Sequence, residues 1–177
     1  MQNYNYEIKE LIKGLSCDLY FIREICLNCF QYLVNQKVNS PNPSETFCLN
    51  EETFEDLTHM LLISCFDVEE SNRVLAGKIW KQGNFKTDEK ICLFVLNDIV
   101  HPVENVRLAA SEALANVIKE NHLNMASTVL KSLQSTYEDK NIILQPKLDQ
   151  FGRPINNQQS IDEWESRASI GKNILFL

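Results

Sequence analysis

Glycine and proline are scarce in this sequence, with five of each in 177 residues. An all-β fold needs frequent turns, and these two residues supply most of them, so such a fold is disfavoured. No stretch of about 18 uncharged apolar residues occurs, which excludes an obvious membrane-spanning helix. Met1 to Glu10 is polar and lacks the apolar core of a signal peptide. Basic charge is also short: 17 Lys and Arg stand against 24 Asp and Glu, for a net charge of −7. Nonspecific nucleic-acid binding draws on clustered cations, so it is not the expected main activity, and no sequence-specific nucleic-acid contact is expected either. A glycine-rich phosphate loop is missing, and Gly152-Arg153-Pro154 does not substitute for one. His59, His101 and His122 are the histidines, each isolated in sequence. Carboxylates are plentiful, but at helix starts they read as dipole partners and solvated faces. No constellation of nucleophile, base and oxyanion donors emerges, so neither an enzyme nor a cofactor is expected.

The six cysteines fall at irregular spacings, several within apolar helical patterns. That usage suits buried thiols in a reducing compartment, with the cytoplasm as the expected location. Cys26-Leu27-Asn28-Cys29 is a CxxC, and two such sulfurs can ligate zinc. No second CxxC exists, and only Cys48, Cys65 and His59 stand ready to complete a site. Both sulfurs follow an apolar helical stripe, so packing is the simpler reading.

What is present is helical periodicity, in a chain that is 44% apolar. Ile8, Leu11, Ile12 and Leu15 form one stripe, although Gly14 weakens that helix. Ile22, Ile25, Cys26, Cys29, Phe30 and Leu33 form a second. Asn39-Ser40-Pro41-Asn42-Pro43-Ser44 reads as a loop, because two prolines cannot sit inside a helix. Asn50 is a fitting N-cap for a helix with Phe54, Leu57, Met60, Leu61 and Cys65 inward. A helix with Leu75, Ala76, Ile79 and Trp80 follows and can end at Gly83. Thr87 is placed to cap the next, which carries Ile91, Cys92, Val95, Leu96 and Ile99. Pro102 suits the first position of a helix with Val106, Ala109, Ala110, Ala113, Leu114 and Val117 on one face. Another helix carries Leu123, Met125, Ala126, Val129, Leu130, Leu133 and Tyr137. A last helix begins near Ser160, with Ile161, Trp164, Ala168, Ile170 and Ile174 on its apolar side. The apolar end Ile174-Leu175-Phe176-Leu177 has no capping residue, as expected of a segment cut from a longer array.

The chain repeats itself. Arg23, Arg73, Arg107 and Arg167 align, and Cys26, Ala76, Ala110 and Ile170 follow three positions later. Phe30, Trp80, Leu114 and Ile174 follow at seven. Asp67 and His101 lie six positions before Arg73 and Arg107. From Arg73 to Arg107 is 34 positions, near the period of helical-pair repeats. Such pairs cannot bury their apolar faces alone and stack into a solenoid. The expected fold is therefore all-α: an α-solenoid of about four helix pairs over residues 1–177, the last incomplete. The repeats span roughly 4–37, 50–84, 87–120 and 122–177, with loops at 38–49 and 138–159. Arg23, Arg73, Arg107, Arg167, Asp67 and Pro102 are its structural repeat positions.

The turn, Pro, Val-Arg and small-residue order at His101-Pro102-Val103-Glu104-Asn105-Val106-Arg107 resembles the second helix of a HEAT repeat. Leu148-Asp149-Gln150-Phe151-Gly152-Arg153, followed by Trp164-Glu165-Ser166-Arg167, is not a generic HEAT feature. Together with Ala113-Leu114 and Tyr137-Glu138, these segments resemble the giant HEAT-repeat translational activators of the general amino-acid control pathway. The resemblance is clearest from about 100 to 171, whereas residues 1–99 match only as HEAT-like helices. It implies an internal piece of a ribosome-associated scaffold that senses stalled ribosomes and promotes activation of the initiation-factor kinase in amino-acid starvation. It names the ribosome as partner, with the kinase engaged through other parts of the full protein. The alternative is a HEAT-repeat adaptor for another complex, such as a transport or phosphatase scaffold.

Charge is unevenly placed. No Lys or Arg lies between Val38 and Asn72, while eight acids do: Glu45, Glu51, Glu52, Glu55, Asp56, Asp67, Glu69 and Glu70. That segment repels phosphates. Beside it, Lys78, Lys81, Lys86 and Lys90 gather near Trp80 and Phe85, a candidate contact surface for ribosomal RNA. The simpler reading is a solvated helix end with Trp80 in the core. The long insertion, with Arg153, is the other candidate, since loops of that length are often functional or disordered.

Overall fold

The computed structural model describes residues 5–39, 49–121, 123–141, 149–151, 153 and 162–176. Among these residues there are eight α-helices and no strand. They are α1 (Asn5–Leu15), α2 (Tyr20–Asn39), α3 (Glu51–Ser64), α4 (Glu70–Gln82), α5 (Glu89–Asp98), α6 (Glu104–Asn121), α7 (Ala126–Lys140) and α8 (Trp164–Phe176). They form a solenoid of helix pairs. The fourth pair, expected to be incomplete, has both helices, α7 and α8, packed together.

Local chemistry sets the helix boundaries. The Asn50 side chain accepts the Thr53 N–H at 2.8 Å and caps α3, whose first turn carries Glu51 and Glu52. The cap of α5 is Asp88 rather than Thr87: its carboxylate accepts the Ile91 N–H at 2.8 Å. Pro102 is not the first helical residue either, because α6 starts at Glu104 and leaves Pro102 in the turn. Helix α2 continues to Asn39 and α7 to Lys140, each slightly beyond where the loops were expected to begin. Most of both loops, with Cys48, His122, Leu148, Gly152 and Ile161, lies outside the described residues.

Two glycines have a packing reason. A Cβ on Gly14 would lie 2.3 Å from Cys26 Sγ, so this glycine permits the close approach of α1 and α2. At Gly83 a Cβ would meet the Phe85 ring at 2.2 Å. Asn84 then takes φ 53°, a left-handed turn that asparagine tolerates. The reversal folds Phe85 back between Phe54 and Trp80, with ring centroids 5.7 Å apart on each side.

The first helices α1, α3, α5 and α7 pack side by side in order, forming one layer. In the second layer α2 packs on α4, and α6 on α8. Helix α6 leans on α3 and α5, and α4 and α6 are not closely packed. The core runs continuously between the layers. Phe30, Leu27, Leu57, Leu61, Ile79, Ile99, Leu114, Leu133 and Ile170 are fully buried.

The aligned large residues fare differently. Phe30 and Leu114 are buried, Trp80 is half-buried against the core, and Ile174 is exposed. Ile25, Phe54 and Trp164 were also read as inward and are exposed. Periodicity marks an apolar stripe but not where the neighbouring helix stops covering it. Phe30→Ala should cost about 3–5 kcal/mol, since a fully buried aromatic leaves a cavity. Urea unfolding followed by circular dichroism measures this, and a half-buried Trp80→Ala should cost clearly less.

Candidate functional site

The aligned arginines share one job. Each places Nη1 under the turn that precedes its own helix. Arg23 donates to the carbonyls of Cys17 and Asp18, both at 2.8 Å. Arg73 donates to those of Asp67 and Val68, at 2.6 and 3.0 Å. Arg107 donates to those of His101 and Pro102, at 2.8 and 2.9 Å. The acceptors lie six and five positions upstream each time. These carbonyls close the first helix of each pair, where no helical partner remains and the dipole favours a cation. Across the late insertion, Arg167 does the same for the Lys140 carbonyl at 2.9 Å.

The remaining donors reach other segments. Arg23 Nε and Nη2 hold both oxygens of Asp67, at 2.6 and 2.8 Å, joining the first pair to the second. Arg23 is 3% and Asp67 5% exposed. The bidentate bond to Asp67 raises the Arg23 guanidinium above its ordinary pKa, against the opposing effect of burial. Asp67 also accepts the Glu69 N–H, and buried Asn72 ties it to the Tyr20 carbonyl. Arg107 Nη2 meets Glu165 at 3.0 Å, joining the third pair to the fourth. Arg167 pairs with Asp162 at 2.6 Å. Arg73 has no carboxylate partner among the described residues. Asp67 and Asp98, which precede Arg73 and Arg107 in the chain, pair elsewhere: Asp67 with Arg23, Asp98 with His59.

Several of these positions gave no sequence signal. Glu165 lies 58 positions from Arg107 across an insertion. Asn173 is fully buried and donates to Ser111 at 2.6 Å, tying α8 to α6. Asn105 reaches Asp18 at 3.1 Å, tying the third turn to the first.

The candidate contact surfaces are placed as follows. Lys78, Lys81 and Lys86 are exposed. Lys90 is exposed too but pairs with Glu55 and lies 5.8 Å from the centre of the Phe94 ring. Trp80 and Phe85 turn their rings on each other, and the exposed ring of the group, Phe54, stands among Glu51, Glu52 and Glu55. The basic patch is thus not a free aromatic platform. In the insertion, Asp149 accepts the N–H groups of Phe151 and Arg153, and the Arg153 guanidinium sits 5.7 Å from the exposed Phe151 ring. Cys26 and Cys29 lie on α2, buried and half-buried. Among the described residues no group of three or more His, Cys, Asp or Glu could hold a metal ion. No described helix is long and apolar enough to cross a membrane.

A family model described as the HEAT repeats of the stalled ribosome sensor GCN1 matches residues 49–175. The chain belongs to this family. The matched segment holds Arg73, Arg107 and Arg167 together with Asp67 and Glu165. Two similar relatives are the stalled ribosome sensors GCN1 of Mus musculus and Homo sapiens, 26% and 27% identical over 164 residues. The match covers 93% of this chain and 6% of either relative, so the chain spans a small part of their length. No solved structure matches it.

Three outcomes follow for this GCN1-type array. Asp67→Ala leaves the Arg23 charge buried without its carboxylate and should cost about 3–5 kcal/mol in urea unfolding. Glu10→Ala, which removes an exposed pair with Lys13, should change stability by under about 1 kcal/mol. Burial pushes the Cys65 thiol up to about 12. At pH 8 only about one such thiol in ten thousand is ionised. Mass spectrometry after iodoacetamide treatment should find Cys65 unmodified in the folded chain and modified once it is denatured.

Proposed function

We propose that this chain is a scaffold segment of a ribosome-associated protein that senses stalled ribosomes. The observation that carries this reading is the match of residues 49–175 to the GCN1 HEAT repeats, over the same stretch that holds most of the arginine–acid ladder. A ladder of this kind fixes the angle between successive helix pairs. Its product is a shaped surface. Promotion of the initiation-factor kinase belongs to the full protein in this proposal, through segments other than this one. The protein works in the cytoplasm, as a non-enzyme, and its repeats divide near 4–37, 50–84, 87–120 and 122–177. Lys78, Lys81, Lys86 and Arg153 form the cationic part of the surface offered to the ribosome. Lys90, paired with Glu55, contributes less.

The test uses the full protein that carries this chain, intact or lacking it, sedimented with stalled polysomes. Loss of ribosome-bound protein on removal of the chain is expected. Charge reversal at Lys78, Lys81 and Lys86 together should lower the bound fraction several-fold at low salt and less at high salt. Unchanged pelleting in both experiments would favour the adaptor reading, with a transport or phosphatase complex as partner.

A further inference from the structure

Helix α4 buries Asn72, Ala76 and Ile79 and keeps a second stripe partly open. Arg73, Val74, Gly77, Lys78 and Lys81 stand three and four positions apart, which puts them on one face. Val74 is 53% exposed, Lys78 and Lys81 are exposed, and Arg73 and Gly77 are half-buried. Two features of this stripe serve no contact among the described residues. The first is Gly77. Glycine weakens the interior of a helix relative to alanine. Gly14 and Gly83 have neighbours that a Cβ would strike, but a Cβ on Gly77 would meet nothing within 4 Å. The second is the Arg73 fork. Its Nη1 closes the turn, while Arg73 has no carboxylate among the described residues. Arg23, Arg107 and Arg167 each have one, in Asp67, Glu165 and Asp162.

The repeat register gives the direction of this face. The positions of Arg73 and Gly77 are held in α6 by Arg107 and Ser111, and both meet α8, through Glu165 and Asn173. Arg73 and Gly77 therefore look toward the side on which a second-layer helix packs. There α4 and α6 are not closely packed, whereas α2 packs on α4 and α6 on α8. The neighbour that suits the position is a helix, and charge decides which kind. From Arg73 to Thr87 the sequence holds Arg73, Lys78, Lys81 and Lys86 and no Asp or Glu, in a chain of net charge −7. A phosphate chain would also be drawn to these cations, but it gains nothing from Val74 or from room for a close-lying backbone. We propose that this face of α4 docks an acidic amphipathic helix of a partner protein. The backbone of that helix lies close over Gly77, an apolar side chain meets Val74, and carboxylates reach the Arg73 fork, Lys78 and Lys81. The two lysines are shared with the surface offered to the ribosome, but binding is measured on the 177-residue chain itself, so either idea can fail alone.

The probe is an acetylated, amidated helical peptide of leucine, alanine and glutamate, titrated into the ¹⁵N-labelled chain near physiological salt. A saturable shift of the Gly77 and Lys78 amide signals is expected. Gly171 holds the same register position on α8 and is equally open, but Arg167 there already has Asp162, so its signal should stay in place. Gly77→Gln fills the space over the helix and should weaken binding, followed by calorimetry, at least several-fold. Its melting temperature should not fall, because glutamine is the better helix former. Lys78→Gln together with Lys81→Gln should also weaken binding several-fold, and added salt should act in the same direction. The same peptide with lysine for glutamate should leave Gly77 unmoved. The proposal is overturned if no saturable shift appears, if Gly77 and Gly171 shift alike, or if folded Gly77→Gln binds as tightly as the parent. It is equally overturned if the lysine peptide or oligouridylate moves Gly77 at lower concentration than the acidic peptide. A Gly77 signal that moves with the concentration of the chain alone would make the occupant a second copy and would overturn it too.

Discussion

A guanidinium held beneath a helix turn is the interaction on which this array depends. Each helix pair must reverse direction in a few residues, and the reversal leaves main-chain carbonyls facing the neighbouring pair. Buried and unpaired, such groups would oppose stacking. One arginine per repeat removes the problem, because its planar fork can satisfy two carbonyls on one side and a carboxylate on the other. At Arg23 the fork is filled: two turn carbonyls and both oxygens of Asp67. A single residue thereby closes its own turn and sets the position of the next one. The apolar core supplies most of the burial, but it is nondirectional. The arginines add direction where the second helix of each pair begins.

The helical class, the helix count and the repeat were legible because each rests on local spacing. Ile8, Ile12 and Leu15, or Ile91, Cys92 and Val95, announce a buried face from within one helix. The four arginines align by local spacing, and in three of them the acceptors are local too, five and six positions upstream. What the sequence concealed is long-range. Arg23 and Asp67 are 44 positions apart, and Arg107 and Glu165 are 58 apart. No spacing rule connects them. Trp164 shows the complementary failure: an aromatic at the head of an amphipathic helix reads as core, yet it is 60% exposed.

Charge tells a consistent story about what the surface can do. The chain is acidic overall, and its arginines at 23, 73, 107 and 167 spend donors on the fold. Arg153 is held differently, over Phe151 at the insertion. The exposed basic groups that remain, Lys78, Lys81 and Lys86 together with Lys119, Lys131 and Lys172, are outnumbered by carboxylates. Binding along a phosphate backbone draws on clustered cations, and here carboxylates stand among them, as Glu55 does beside Lys90.

The second layer also records what happens when the ladder loses a rung. His101 occupies the position that Asp67 holds one repeat earlier, and it makes the same turn bond: its Nδ1 accepts the Val103 N–H at 3.1 Å, as Asp67 accepts the Glu69 N–H. A neutral imidazole has one acceptor nitrogen, and this bond uses it. Nothing is left for an arginine of the preceding repeat, whereas a carboxylate has a second oxygen to give. Arg73 accordingly keeps its two turn carbonyls and gains no acid among the described residues. At this same junction α4 and α6 are not closely packed, and α6 instead leans on α3 while Asn105 reaches Asp18 in the first turn. One substitution within the repeat thus preserves the turn and removes the link between turns. The array keeps its helices and core there: in the first layer Lys90 pairs with Glu55 and Asp98 meets His59 across the second and third pairs, while Asn105 ties the third pair to Asp18 of the first.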